Sequence, residues 1–117
     1  MDMSRAATTS DVFNAIAEPR RREIVVLLAN GQPRSVGELV EALDLAQPAV
    51  SKHLAVLRAV GVVSVQKQGK SRLYALNRSK LSPVQDWIKQ LEHIWESQLD
   101  RIKERAERKS KERSARN

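Results

Sequence analysis

A chain of 117 residues carrying 21 Lys and Arg against 14 Asp and Glu, a net charge of +7, holds one domain's worth of sequence and points to an anionic partner, nucleic acid first. The absence of cysteine excludes a disulfide framework, a thiolate metal site and a thiol redox sensor. No apolar run approaches the roughly 20 residues of a membrane span, and Met1 to Arg5 lead into no signal-type segment, so a cytoplasmic protein without membrane contact is expected.

Residues 1–9 read as a flexible N-terminal arm. Ser10 is placed to cap a first helix, with Asp11 near its positive end and Val12, Phe13, Ile16 and Ala17 as an apolar stripe. Glu18-Pro19 breaks that helix, because a residue before proline avoids the helical region while proline suits a first helical position. A second helix therefore starts at Pro19, turns Ile24, Val25, Leu27 and Leu28 toward a core, and stops at Asn30-Gly31. Its early Arg20, Arg21 and Arg22 oppose the helix dipole, so a salt bridge to a neighbouring helix or a phosphate must favour them.

Gln32-Pro33-Arg34 reads as a turn, and Ser35 with Glu38 three residues on is a capping box for a short third helix, about Val36 to Leu43. Val36, Leu39, Val40 and Leu43 point inward. Asp44-Leu45-Ala46 then connects tightly to a fourth helix in which Val50, Leu54 and Leu57 recur at i, i+4 and i+7. Opposite that stripe lie Pro48, Lys52 and Ala55, flanked by Ser51 and Arg58: a small, polar, cationic face that can approach base edges and phosphates closely. Two short helices joined by a three-residue turn, the second with such a face, form a helix-turn-helix.

After Gly61 the period changes from helix to strand. Val63, Val65 and Lys67 alternate with Val62, Ser64 and Gln66, and Arg72, Tyr74 and Leu76 alternate with Leu73 and Ala75 across Gln68-Gly69-Lys70-Ser71. The hairpin tip gathers Lys67, Lys70 and Arg72 around a glycine, as a wing reaching for a DNA backbone would.

The run Leu45-Ala46-Gln47-Pro48-Ala49-Val50-Ser51-Lys52-His53-Leu54 with Leu57, then Gly61-Val62-Val63 and Gly69-Lys70-Ser71-Arg72-Leu73-Tyr74-Ala75-Leu76, resembles the ArsR/SmtB family of winged helix-turn-helix repressors. Ala17-Glu18-Pro19-Arg20-Arg21-Arg22-Glu23-Ile24 and Ser35-Val36-Gly37-Glu38-Leu39 are similar to that family as well, so the resemblance covers about residues 10 to 102. Ala46 departs from it, since relatives carry serine or threonine there, and the lost cap costs about 1 kcal/mol.

Ser82-Pro83-Val84-Gln85 reads as a further helix start, with serine as cap. Val84, Ile88, Leu91, Trp95, Leu99, Ile102 and Ala106 then fall at spacings of three and four with Trp87 and Ile94 beside them, a helix of about 25 residues or roughly 40 Å. A helix that outruns its own core leaves this stripe wet unless a second copy covers it. The resemblance implies that the first and last helices form the dimer interface, here Val12, Phe13, Ile16, Trp87, Ile88, Leu91, Trp95, Leu99 and Ile102. Many relatives sense metals. The third-helix site of the family uses cysteines, absent from Glu38 to Leu43, and the last-helix site pairs Asp-x-His with His-x-x-Glu. Here His93 to Glu96 supply the second half, but Ile88 stands where the first histidine belongs, which leaves too few ligands for zinc and no metal or cofactor expected. Residues 103–117 read as a charged tail in which Glu104 with Arg108 and Glu107 with Lys111 support further helix before fraying.

The expectation is thus a mainly α fold with a small β-hairpin wing: an arm over 1–9, a winged helix-turn-helix domain with a long dimerisation helix over 10–102, and the tail. Its partners are double-stranded DNA and a second copy of itself. Gln47, Ala49, Ser51 and Lys52 serve the major groove, Arg58, Lys67, Lys70 and Arg72 the phosphates, and His53, at the edge of the apolar stripe, is packed or joins the DNA-binding set through a phosphate. No histidine has a nucleophile or carboxylate at catalytic spacing, so an enzyme is not expected. The competing reading keeps the fold and docks an acidic protein on the basic face. The signal stays open between a small-molecule effector between the long helices, a protein partner and autorepression by concentration.

Overall fold

In the computed structural model the described residues are 11–116. The arm and the Ser10 cap lie outside them. Asp11 caps the first helix instead, its carboxylate accepting from the Asn14 amide at 2.8 Å. Helix α1 (Val12–Ala15) is a single turn that buries Val12 and Ala15. Ala17, expected on its apolar stripe, is exposed because the helix has ended before it. Helix α2 (Pro19–Leu27) has proline in its first turn and Glu18 as its cap, accepting from the Arg21 amide at 3.1 Å.

Strand β1 (Arg34–Ser35), helix α3 (Val36–Leu43) and helix α4 (Gln47–Ala59) follow. Both halves of the α3 capping box form: the Glu38 amide donates to Ser35 Oγ at 3.2 Å, and the Ser35 amide to Glu38 Oε1 at 3.2 Å. The α3–α4 turn closes through Asp44 at φ 52°, a left-handed residue of the type aspartate tolerates. Helix α4 ends before Gly61, whose φ of 82° turns the chain into strand β2 (Val63–Gln68).

Strands β2 and β3 (Ser71–Leu76) pair antiparallel through a two-residue turn, with Gly69 at φ 64° and no positive φ at Lys70, the pattern of a type II′ hairpin. Where a plain turn was expected at Gln32 to Arg34, β1 adds a third strand, Arg34 opposite Tyr74 and Ser35 opposite Leu73, in the order β1-β3-β2. Pro33 just before it fits the edge of a sheet.

The core is Val12, Ala15, Ile24, Leu28, Leu39, Leu43, Val50, Leu54, Leu57, Val62, Val63 and Tyr74, so every helix up to α4 and both long strands contribute. Ile24, Leu28, Leu39, Val50, Leu54 and Leu57 are at most 1% exposed, and truncating such a side chain to alanine typically costs about 2–5 kcal/mol. The orientation of α4 is therefore fixed by its buried stripe, and its opposite face must look outward.

A 3-10 turn over Arg78–Leu81 runs directly into helix α5 (Ser82–Arg116). Ser82 has helical angles, φ −56° and ψ −37°, so it opens the helix from within and is not the extended cap expected of it. Helix α5 has 35 residues, about 50 Å by helical rise, and passes position 103 without a break. It outruns the expected 25 residues because glutamate and lysine or arginine sustain it where apolar residues end. The chain divides into two compact units, one reaching to Val84 and one from Gln85 onward. In the second unit Trp87, Ile88, Ile94, Trp95, Leu99 and Ile102 are between 39% and 64% exposed.

Candidate nucleic-acid interface

Helix α4 presents Gln47, Pro48, Ser51, Lys52, Ala55, Arg58 and Ala59 as exposed residues, with Ala49 half-buried at their edge. Alanine, serine and proline make this face shallow, and lysine and glutamine give it donors that reach past the backbone.

The hairpin adds what the helix lacks. Val63 pairs with Leu76, Val65 with Tyr74 and Lys67 with Arg72 in one register, so these three pairs share a sheet face. The first two pairs hold Val63 and Tyr74 in the core, and the third carries the same face past the core as two cations. Like charges directly opposite one another on a strand pair disfavour it by some tenths of a kcal/mol, a cost that an anion between them removes. A groove between α4 and β3 is lined by Ser51, Leu54, Ala55, Arg58, Ala59, Arg72 and Tyr74. Arg58 and Arg72, 14 residues apart in sequence, thus line one cleft. Tyr74, named in the sequence only as part of a strand, is 9% exposed, belongs to the core and also lines this groove.

Among the described residues, the cations up to Arg72 sort into two sets. Arg20 pairs with Glu23 at 3.1 Å, and Arg34 donates to the Leu27 carbonyl and stands 4.0 Å from Glu38. Arg21 donates through Nε to the Ala15 carbonyl, and Arg22 to the carbonyls of Ile16 and Ala17 at 2.8 and 3.1 Å. The arginine run at the start of α2 is thereby explained. Arg21 and Arg22 close the carbonyl end of α1, where positive charge is favourable, and meet carbonyls where a neighbouring carboxylate or a phosphate was expected, while Arg20 pairs with Glu23 of its own helix. Lys52, Arg58, Lys67, Lys70 and Arg72 make no ion pair or side-chain hydrogen bond among the described residues.

His53 leaves the second set. Its side chain is 20% exposed, with Nδ1 3.8 Å from Glu18 Oε2 and 3.5 Å from Arg21 Nη1. It joins α4 to the start of α2, so of its two expected roles the structure shows the packed one and not a free phosphate contact. Val12 is likewise corrected: at 7% exposure it belongs to the chain's own core and has little surface to give a second copy. Phe13 is 40% exposed, and Ile16 is half-buried against the core. Among the described residues no group of three or more His, Asp or Glu is placed to hold a metal ion, and no helix is long and apolar enough to cross a membrane.

The profile of the "Bacterial regulatory protein, arsR family" matches residues 18–65, from the α2 cap to the first half of β2. Transcriptional repressor SdpR of Bacillus subtilis is 33% identical over 79 residues, covering 68% of this chain and 87% of that protein. HTH-type transcriptional repressor SmtB of Mycobacterium tuberculosis is 46% identical over 74 residues, 63% of this chain and 54% of that protein, so the chain spans about half of that relative. Among solved structures, an ArsR-like transcriptional regulator from Rhodococcus sp. RHA1 superposes with a TM-score of 0.66 at 29% identity, covering 92% of this chain and 97% of that one.

Proposed function

The chain belongs to the arsR family of bacterial regulatory proteins, DNA-binding regulators and not enzymes, and on that premise we propose that it is a homodimeric repressor acting on a roughly palindromic operator. Helix α4 enters the major groove with Gln47, Ala49, Ser51 and Lys52, where side-chain amides, hydroxyls and ammonium groups read base edges. Arg58, Lys67, Lys70 and Arg72 hold phosphates on either side, which fixes register without carrying sequence information. Repression follows from occupying promoter DNA.

The observation that carries this reading is the partition of cations. Every arginine of α2 and β1 has a partner inside the fold, whereas Lys52 and Arg58 of α4 and Lys67, Lys70 and Arg72 of the hairpin have none among the described residues. Unpaired cations on one rigid face are an anion site, and their arrangement around a shallow helix suits a duplex.

The dimer is supported by the exposed apolar residues of α5. Trp87, Ile88, Trp95, Leu99 and Ile102, with half-buried Leu91, fall on one side of the helix at spacings of three and four, far more apolar surface than a lone helix keeps in water. In the proposal Phe13 and Ile16, which belong to the other compact unit, also contribute to the dimer. A two-fold dimer presents two α4 helices, hence the palindrome, with half-sites about one helical turn or a multiple apart. The regulator proper is proposed to span 10–102, with the charged continuation of helix α5 beyond it.

The test is gel-shift titration of a selected operator with Lys52→Ala and Arg72→Ala. Both weaken binding, and Arg72→Ala lowers the slope of log affinity against log salt by about one unit for each phosphate that it leaves without a cation. Unchanged affinity in both variants would remove the groove from the interface.

A further inference from the structure

At residue 100 the surface of α5 changes character. Residues 85–99 hold one lysine against three acidic residues, whereas residues 100–117 hold eight Lys and Arg against four Asp and Glu. More than half of the chain's net charge of +7 therefore sits in its last 18 residues. Simple solvation of a helix end is served by mixed charges on all sides, and here they are sorted. At 100° per residue, Arg101, Arg105, Arg108, Lys109 and Arg113 fall within a sector of roughly 140°, which also holds Ile102 and one acid, Glu112. Asp100, Glu104 and Glu107 lie together on the opposite side, with Lys103 and Lys111.

The cationic sector replaces apolar and neutral residues. In the preceding turns the same sector carries Trp87, Gln90, Leu91, Ile94, Trp95 and Gln98, so it continues one flank of the apolar stripe beyond the stripe's end. The apolar stripe itself ends at Ala106, since the next positions at its spacing are Ser110 and Arg113. Residues 101–115 are all exposed, and none of the five cations has an ion pair or side-chain hydrogen bond among the described residues.

We infer that the sector of Arg101, Arg105, Arg108, Lys109 and Arg113 is a second DNA-binding surface that grips the phosphate backbone of duplex DNA without reading its sequence. The inference rests on the reading of α4 as a DNA-contacting helix. Its cations recur every three or four residues, about 6 Å of rise, and span about 18 Å from Arg101 to Arg113. Over that length a duplex presents roughly ten phosphates, so a straight row of cations meets a matching row of anions. Once α4 is on its operator, α5 of the same chain meets flanking phosphates at the high effective concentration of a tethered group. The surface adds affinity and salt dependence and leaves base preference alone.

The test compares the full chain with two variants on a selected operator with flanking DNA, read as affinity against salt and as operator-to-random-duplex ratio. Arg105→Gln/Lys109→Gln/Arg113→Gln removes charge from the sector, while Lys103→Gln/Lys111→Gln removes charge from the other side. Glutamine keeps helix propensity, and far-UV circular dichroism verifies that both variants retain the helical signal. The triple variant loses up to about 2.7 units of salt slope per protomer, at about 0.9 per phosphate, with its specificity ratio unchanged. The double variant keeps the parent slope. A triple variant with the parent slope overturns the inference, as does loss in proportion to charge in both variants, which is bulk charge and not a face. Stronger binding of single-stranded RNA than of duplex DNA, lost in the triple variant, overturns it too. Failure of the α4 reading looks different: the parent chain then binds no duplex, or binds one with Lys52→Ala and Arg72→Ala unaffected.

Discussion

Ala46→Ser restores the oxygen that most helix starts carry, and the structure says how little that adds. The α4 cap position has the extended geometry serine requires, φ −65° and ψ 146°, and no side-chain cap bond. A cap oxygen accepts from the second or third helical amide. Here the second residue is Pro48, which has no N–H, and the third amide, Ala49, already donates to the Ala46 carbonyl at 3.0 Å. Serine therefore shares one donor already satisfied, and the gain falls to about 0.5 kcal/mol, the low end of the capping range. For a domain of this size that is a rise in Tm of roughly 2–4 °C. Ser35→Ala is the counterpart: it strips a cap whose two hydrogen bonds are both formed, and costs about 1 kcal/mol, roughly 4–8 °C. Thermal unfolding of the three proteins at one fixed concentration measures both, since a dimer's Tm depends on concentration. If Ala46→Ser raises Tm by as much as Ser35→Ala lowers it, Pro48 and Ala49 do not account for the missing cap and the reasoning fails.

Gly61→Ala costs about 1–2 kcal/mol in urea unfolding, because φ is 82° and the new methyl meets the Lys80 stem at 3.2 Å. Gly69→Ala, at φ 64° with open space around it, costs about 1 kcal/mol, so equal losses or the reverse order contradict the account. Leu99→Glu, at a position 64% exposed, leaves the fold intact by circular dichroism and shifts sedimentation from dimer to monomer; a dimer that persists moves the proposed interface off this stripe.

The elements set by local rules were legible. Val50, Leu54 and Leu57 announced α4 and its outward face, Ser35 with Glu38 fixed the start of α3, and Gly69 marked the wing. What escaped depended on partners distant in sequence. Strand β1 is two residues with no alternation to detect, and it exists because Leu73 and Tyr74 offer a free edge. The arginine run of α2 is unfavourable within its own helix and sensible only beside the end of α1. His53 sits at the rim of an apolar stripe by period, yet only the fold brings Glu18 and Arg21 to its ring. Ser82 has every local mark of a cap, but the preceding 3-10 turn feeds helical geometry through it. In the binding face itself, Lys52 and Arg58 could be placed by helical spacing, whereas the cleft that Arg58 shares with Arg72 and Tyr74 is a product of packing.

The Lys67–Arg72 pair makes the wing respond to electrolyte in two opposite senses. In the unliganded protein dissolved ions screen the repulsion between the two side chains, so raising ionic strength tightens the hairpin tip and slows amide hydrogen exchange at Gln68 and Ser71. In the complex the same ions compete with the duplex for those side chains. A wing that becomes more ordered under the conditions that release it from DNA is a property that a neutral pair at this position would not have.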